Sequence, residues 1–239
     1  IAVAVEGWSG YFPINHEGGG NMDRALVLDW FEEVLHTDAT KIFHNAMYDV
    51  SWIRSMGFQI RGGIIDTLIA ASLIDENRWG YALNALGREY VGIGKNEKIL
   101  QEAAKEWGIN PKSEMWRLPA PLVGEYAEQD AVVTLKLWHA LQHEISKQDL
   151  WDIFNLETQL FPCLVDMKFK GVRVDVAKAE ATKAQLIDAE KEIHRDIQKL
   201  AGFEVEIWAA ASIAKAFDHV KLPYDRTEKG SPSFTKNFL

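Results

Sequence analysis

Two polar groupings in the sequence carry residue types that hydrolytic chemistry uses. Asn45 and Asp49 follow a short apolar segment, where a predicted strand gives way to a predicted helix. Tyr126 and Asp130 lie four residues apart within a long helical pattern, so both side chains are expected on one face. A carboxylate can hold a hard cation and a phenol can orient an attacking water molecule, so this second grouping suits metal-assisted hydrolysis.

Each grouping taken alone has a plain structural alternative. Asn45 could be only the cap of a helix, with Asp49 a surface acid. Tyr126 could be half buried on an amphipathic helix, with Asp130 solvated. Functional groups collect at the carboxyl ends of strands in open α/β sheets, which favours a chemical role for the first grouping without deciding it.

Taken together, with an Ile-Asp-Thr segment between them, the groupings resemble the motifs of a known family. This is the 3′–5′ proofreading exonuclease domain of phage-type, family A (DNA polymerase I-like) DNA polymerases, which belongs to the DEDDy exonucleases. The second motif of that family is N-x-x-[FY]-D, which Asn45, Tyr48 and Asp49 match. The third motif is Y-x-x-x-D, which Tyr126 and Asp130 match.

The resemblance implies a reaction, a cofactor and a role for each residue. The reaction is hydrolysis of phosphodiesters at the 3′ end of single-stranded DNA, with two Mg²⁺ ions (or Mn²⁺) about 4 Å apart. Asp130 would ligate the ion that activates water, and Tyr126 would hydrogen-bond that water. Asp49 would ligate the second ion, and Asn45 would contact the terminal nucleotide. Position 125 is a glutamate, where the histidine subclass has its histidine, so the tyrosine subclass is indicated.

The first motif of the family is absent from the sequence. The family places D-x-E on a central strand before the first hairpin. Asp188 and Glu190 have this spacing, but they follow the other motifs and fall in a predicted helix, so we do not assign them to the site. The chain is then expected to hold about half of the metal-binding carboxylates and to be inactive alone. Two alternatives stay open: an RNase D-like RNA exonuclease, and a non-catalytic exonuclease fold that serves as a platform for the polymerase.

Composition limits the class of protein. The net charge of −9 argues against a protein that holds nucleic acid by positive charge alone. A single cysteine, Cys163, excludes a disulfide scaffold and favours a reducing compartment, and we expect it to be buried in a helix. No stretch of the sequence is long and apolar enough to span a membrane.

The resemblance also implies partners and a location. The partners are a single-stranded DNA 3′ end, primer–template DNA, and the palm and fingers of the polymerase, whose motifs the sequence does not contain. No membrane partner is expected. The location is the cytoplasm, in a bacterial host if the protein is encoded by a phage.

Alternation of strand and helix patterns predicts an α/β fold. The resemblance makes this an RNase H-like mixed sheet flanked by helices, followed by a mostly helical segment. A hairpin is expected over residues 1–5 and 11–14. Further strands are expected near residues 41–44 and 61–65, and helices over residues 23–36, 47–56, 122–146, 151–169 and 176–200.

The sequence predicts two domains. Residues 1–150 are expected to form the exonuclease domain without its first strand. Residues 151–239 are expected to form a linker helix and the start of the polymerase thumb, with a soft boundary between residues 170 and 171. Because residue 1 is an isoleucine inside a predicted strand, we interpret the chain as an internal fragment.

Overall fold

The computed structural model describes residues 1–94, 97–111 and 113–235. The strands in these ranges are β1 (Ala2–Val5), β2 (Trp8–Tyr11), β3 (Lys41–Phe43), β4 (Ile64–Asp66), β5 (Asp225–Arg226) and β6 (Pro232–Ser233). The α-helices are α1 (Arg24–Leu35), α2 (Ala46–Ser55), α3 (Thr67–Ile74), α4 (Leu83–Leu86), α5 (Lys98–Glu106), α6 (Pro121–Lys147), α7 (Trp151–Lys170), α8 (Val176–Ala201) and α9 (Ala210–His219).

The strands form small sheets of both kinds. β1 pairs with β2 and β5 with β6 in antiparallel fashion, whereas β3 and β4 run parallel. The predicted α/β fold class with mixed strand directions is therefore confirmed. Within the described ranges β1 pairs only with β2, and β3 only with β4, so each of these strands keeps one unpaired edge.

The second strand of the first hairpin lies three residues earlier than the sequence predicts. It covers Trp8–Tyr11 rather than residues 11–14, and its register pairs Val5 with Trp8. The prediction assigned all of residues 6–10 to the turn. Gly7, at φ 78°, supplies the positive φ that a shorter turn needs, so pairing resumes at Trp8.

The predicted helices form close to their expected bounds, and some of their ends carry recognisable caps. Asp23 precedes α1 and its carboxylate accepts a hydrogen bond from the Leu26 N–H at 2.9 Å. Gly57 follows α2 with φ 91°, as expected for a residue just beyond a helix end. The three long helices, α6, α7 and α8, begin and end within one residue of the prediction.

Helix α6 lies at the centre of the first of two compact units, which spans Ile1–Gly171. It buries Leu137, Leu141 and Ile145 in a cluster that includes residues of α3 and α7. The same helix contacts both β1 and β3. It therefore supports both β1 and β3.

Helix α7 belongs to this first unit. Its Phe161 and Val165 are buried against Ala46 and Val50 of α2, so the helix predicted as a linker shares the core of the α/β unit. Cys163, which we expected to be buried, is exposed. It lies two residues from both Phe161 and Val165, and so on the opposite face of the helix. The functional division between the exonuclease domain and the linker stays a prediction.

The second compact unit, Val172–Leu239, contains α8, α9 and the β5–β6 pair in its described part. Asp175 caps α8 by accepting a hydrogen bond from the Lys178 N–H at 3.0 Å. Asp188 and Glu190 lie exposed on α8, so this D-x-E spacing falls on a helix as the sequence predicts. The last four residues of the predicted thumb segment, 236–239, lie outside the described residues.

In the parts of the chain that the structure describes, the helices are too short or too polar to cross a lipid bilayer.

Candidate active site

A cavity of about 1190 Å³ lies along the unpaired edges of β1 and β3 in the first unit. Every residue of β1 and of β3 lines it, whereas no residue of β2 or β4 in the described ranges does. Residues of α6 and α2 complete the wall. The cavity is thus bounded by two strand edges that have open hydrogen-bonding groups and by the two helices that carry the polar groupings.

All four predicted site residues line this one cavity: Asn45, Asp49, Tyr126 and Asp130. The first two enter from α2 and the turn before it, and the other two enter from α6. Two segments that lie far apart in the sequence therefore line the same cavity. The roles assigned to the individual residues remain predictions.

Asn45 is not a helix cap in the ordinary sense. It occupies the position before α2 with left-handed backbone angles of φ 65° and ψ 55°, which Asn tolerates better than most residues. Its side chain makes no capping hydrogen bond. The alternative in which Asn45 serves only to cap the helix is therefore wrong, and the residue is exposed at the wall of the cavity.

Asp49 lies in the first turn of α2 and is partly buried. Burial raises the pKa of this carboxyl from 3.8 to about 6. A backbone hydrogen bond opposes the shift, and the negative charge of Asp66 adds to it. The ionised form of a carboxyl buried in this way destabilises the folded protein when no cation is near. A bound divalent cation would favour this charged form.

Tyr126 and Asp130 lie one turn apart on α6. Tyr126 packs beside the buried Leu118 and Val123, which holds the phenol ring in place. The Oδ1 atom of Asp130 is buried, so the alternative in which this carboxylate is simply solvated is wrong. Both side chains are fixed to a long, well-packed helix rather than to a loop, which suits a site that needs accurate geometry.

The donor set fits a hard cation. Asp49 and Asp130 supply carboxylate oxygens, the ligands that Mg²⁺ and Mn²⁺ prefer, and no cysteine of the described ranges lines the cavity. Among the described residues, no three His, Cys, Asp or Glu side chains cluster in a way that could hold an ion. The two acids thus fit part of a coordination sphere, and the expectation that the chain holds about half of the carboxylates stays a prediction.

One residue that contacts the turn before α2 has no role in the site assigned from the sequence. Asp66, the acid of the Ile-Asp-Thr segment, caps the helix that follows it, because its Oδ1 accepts a hydrogen bond from the Leu68 N–H at 2.9 Å. It also accepts from the backbone N–H groups of Asn45 and Ala46, at 2.9 Å and 2.8 Å. The sequence signal for this contact is that Asn45 and Asp66 each follow a predicted strand, and these two strands could be neighbours in one sheet.

Comparison with known proteins gives the family of the chain. Residues 11–146 match the family described as 3′-5′ exonuclease, of the DNA polymerase A type. A DNA-directed DNA polymerase of Pseudomonas phage M6 is 32% identical over 251 residues, covering all of this chain and 37% of the relative. DNA polymerase I of Pseudomonas aeruginosa is 26% identical, covering all of this chain and 27% of the relative. The chain therefore spans roughly a third of the length of these relatives.

A solved structure agrees with the fold. The POL domain of Pol1 from M. smegmatis, in complex with DNA primer-template and dNTP, matches with a TM-score of 0.59 and 16% identity. The match covers 90% of this chain and 34% of that one. The family match includes all four predicted site residues and covers more than half of the sequence. The chain belongs to the 3′-5′ exonuclease family of DNA polymerase A.

Proposed function

We propose that this chain is the proofreading part of a phage-type DNA-directed DNA polymerase, which hydrolyses phosphodiesters at single-stranded DNA 3′ ends. The observation that carries the proposal is the meeting of Asn45, Asp49, Tyr126 and Asp130 at one cavity in a member of the exonuclease family. The DNA partners are the frayed 3′ end and the primer–template duplex, and the protein partner is the rest of the polymerase chain. The phage relative supports a location in the cytoplasm of a bacterial host.

The proposed mechanism assigns one task to each side chain. Asp49 and Asp130 would hold two divalent cations, Mg²⁺ or Mn²⁺. When bound, these cations supply Lewis-acid stabilisation of the charge that develops on the attacking and leaving oxygens. Tyr126 would accept or donate a hydrogen bond that orients the attacking water, and the amide of Asn45 would bind the terminal nucleotide.

The shape of the cavity supports a place for the first motif. An extended strand between β1 and β3 would pair with the unpaired edges of both. Residues two apart on a strand point to the same face, so the Asp and Glu of a D-x-E motif would face one way. We propose that such a strand supplies the carboxylates that complete the metal site beside Asp49 and Asp130.

The 239-residue chain alone should therefore degrade single-stranded DNA far more slowly than a complete polymerase that carries it. Metal-assisted stabilisation is worth several kcal/mol, so the rate should be lower by roughly 10²-fold or more. The measurement is release of nucleotides from a 3′-labelled oligonucleotide in Mg²⁺, with the complete polymerase as the positive control. Rapid trimming by the isolated chain would show that its own residues suffice.

Tyr126→Phe should slow hydrolysis by roughly 10²-fold because the water would lose its orienting hydroxyl, while the packing of the ring is kept. Binding of Mn²⁺, measured by calorimetry, should stay unchanged because the carboxylates remain. A loss of Mn²⁺ binding in this variant would mean that the phenol has a different role from the one proposed.

The two alternative functions are less well supported. Relatives that match the whole chain are named as DNA polymerases, which favours a polymerase-linked exonuclease over an RNase D-like enzyme. A non-catalytic platform would have no need to keep both acids, yet Asp49 and Asp130 are present at the cavity wall.

A further inference from the structure

Two adjacent residues at the junction of β4 and α3 contact every residue of the turn that leads into α2. The carboxylate of Asp66 accepts hydrogen bonds from the N–H groups of Asn45 and Ala46. The hydroxyl of Thr67 donates to the carbonyl oxygen of Phe43 at 3.0 Å and lies 2.9 Å from Nδ1 of His44. Each of residues 43–46 is thus held by a hydrogen bond from the junction of β4 and α3.

The hydrogen-bond roles in this contact are determined by simple counting. The Thr67 hydroxyl has one proton, which it gives to the Phe43 carbonyl. Its oxygen must therefore accept from His44, so Nδ1 of His44 carries the proton there. Thr67 is completely buried, so bulk solvent does not compete for these contacts.

Asp66 caps two helices with a single carboxylate. It accepts from the first N–H groups of α2 and, through Leu68, from the first turn of α3. Charged acceptors form strong hydrogen bonds at helix N-termini, where the backbone N–H groups have no partner within the helix. Asp66 is 7% exposed, so these bonds are screened only weakly by solvent.

The cap that Asp66 provides also affects the side chain of Asn45. Asp66 satisfies the N–H groups of Asn45 and Ala46, while the amide of Asn45 makes no capping hydrogen bond and the residue lies at the cavity wall. The left-handed conformation of Asn45 sets the direction in which α2 begins, and hence where Asp49 enters the cavity. A strained conformation of this kind persists only when the surroundings over-determine it.

We propose that Asp66 and Thr67 are positioning residues of the nuclease site, which fix the turn 43–46 and through it the placement of Asn45 and Asp49. The inference rests on the proposed function, since it concerns the same site. Neither Asp66 nor Thr67 lines the cavity, so neither is expected to touch DNA or a cation. Removing a residue that orients a metal ligand by hydrogen bonding typically lowers metal affinity or activity by roughly 10–100-fold.

The first test compares Thr67→Val with Thr67→Ser in the complete polymerase. Valine keeps the branched shape and loses the hydroxyl, whereas serine keeps the hydroxyl. We expect Thr67→Val to lower kcat for 3′-end hydrolysis and to raise the half-saturating Mg²⁺ concentration by roughly 10–100-fold, with little change in KM for DNA. Thr67→Ser should restore both values to near those of the wild type.

The second test uses Asp66→Asn, with Asp23→Asn as the matched control. The side chain introduced by Asp66→Asn has one oxygen that can accept and one NH₂ group that can only donate. If the NH₂ group takes the place of Oδ2, it faces the Ala46 N–H and that hydrogen bond is lost. Asp23 also caps a helix, but it does not line the cavity or contact the turn 43–46, so the control changes a cap without changing the site. Only Asp66→Asn should weaken binding of Mn²⁺, measured by calorimetry independently of activity.

The outcomes separate this inference from the proposed function. If Thr67→Val and Asp66→Asn lower the melting temperature but leave kcat and Mn²⁺ affinity unchanged, the positioning role is overturned while the nuclease remains. If Asp49→Asn itself leaves hydrolysis intact, the proposed function fails first. If circular dichroism shows that Asp66→Asn does not fold, the comparison of Thr67→Val with Thr67→Ser tests the positioning role by itself.

Discussion

Replacing Asp130 by alanine in the complete polymerase is expected to lower Mg²⁺-dependent hydrolysis of single-stranded 3′ ends by roughly 10³-fold or more. The same result is expected for Asp49→Ala. A metal ion stabilises the transition state by several kcal/mol, and about 1.4 kcal/mol corresponds to a factor of ten in rate. The measurement is single-turnover release of the terminal nucleotide from a 3′-labelled oligonucleotide, so that DNA release does not mask the chemical step.

The matched control is Glu144→Ala. Glu144 is a carboxylate on the same helix as Asp130, but it does not line the cavity and pairs with Lys147 near the helix end. It should leave hydrolysis unchanged, and all variants should keep the DNA synthesis of the polymerase. Hydrolysis at the wild-type rate in either Asp49→Ala or Asp130→Ala would refute the role assigned to that residue.

Asp49→Asn should make the metal-free protein more stable at about pH 8 by about 1–3 kcal/mol in the free energy of unfolding. The pKa of Asp49 is about 6 in the folded protein against 3.8 as its ordinary value. Between these values the folded state keeps a proton that the unfolded state releases, so stability falls as the pH rises through this window. Above it the wild type bears the full cost of a buried charge, which asparagine does not.

Urea denaturation with a chelator present, at about pH 4 and about pH 8, would measure this effect. The difference between the two proteins should be much smaller at the lower pH, where Asp49 is protonated in the folded state and partly protonated in the unfolded state. Added Mg²⁺ should stabilise the wild type more than the variant, because a cation favours the charged carboxylate. An advantage of Asp49→Asn that is equal at both pH values would instead indicate a packing effect.

These two results together would describe a residue retained at the expense of stability. Asp49 is unfavourable for the fold and is proposed to be necessary for the reaction, and strained or destabilising groups of this kind concentrate at functional sites. The neighbouring charge of Asp66 adds to the cost, because it also raises the pKa of Asp49. The three hydrogen bonds that Asp66 accepts from backbone N–H groups offset that cost within the fold.

The elements that carry the site could be predicted because their signals are local. Tyr126 and Asp130 lie on a helix whose apolar period extends over more than twenty residues, so their common face follows from spacing alone. Asn45 and Asp49 follow a strand whose end is marked by the change from apolar to polar residues. The meeting of the two groupings followed only from the resemblance to a family, since spacing along the sequence carries no information on distance in space.

The features that were missed depend on tertiary structure. The capping of α2 by Asp66 requires the parallel register that places Phe43 opposite Asp66, and no sequence pattern fixes that register. Cys163 was expected to be buried because α7 is apolar on several faces. Only the packing of Phe161 and Val165 on α2 decides which of those faces lies in the core.

The most direct test of the account is a crystal structure of the complete polymerase grown with Mn²⁺, in which anomalous scattering locates the ions. The account predicts Mn²⁺ in the cavity between β1 and β3, in contact with the carboxylates of Asp49 and Asp130. It also predicts that a strand bearing the D-x-E motif lies between those two strands. Mn²⁺ bound away from both carboxylates, under conditions in which the enzyme degrades DNA 3′ ends, would contradict it.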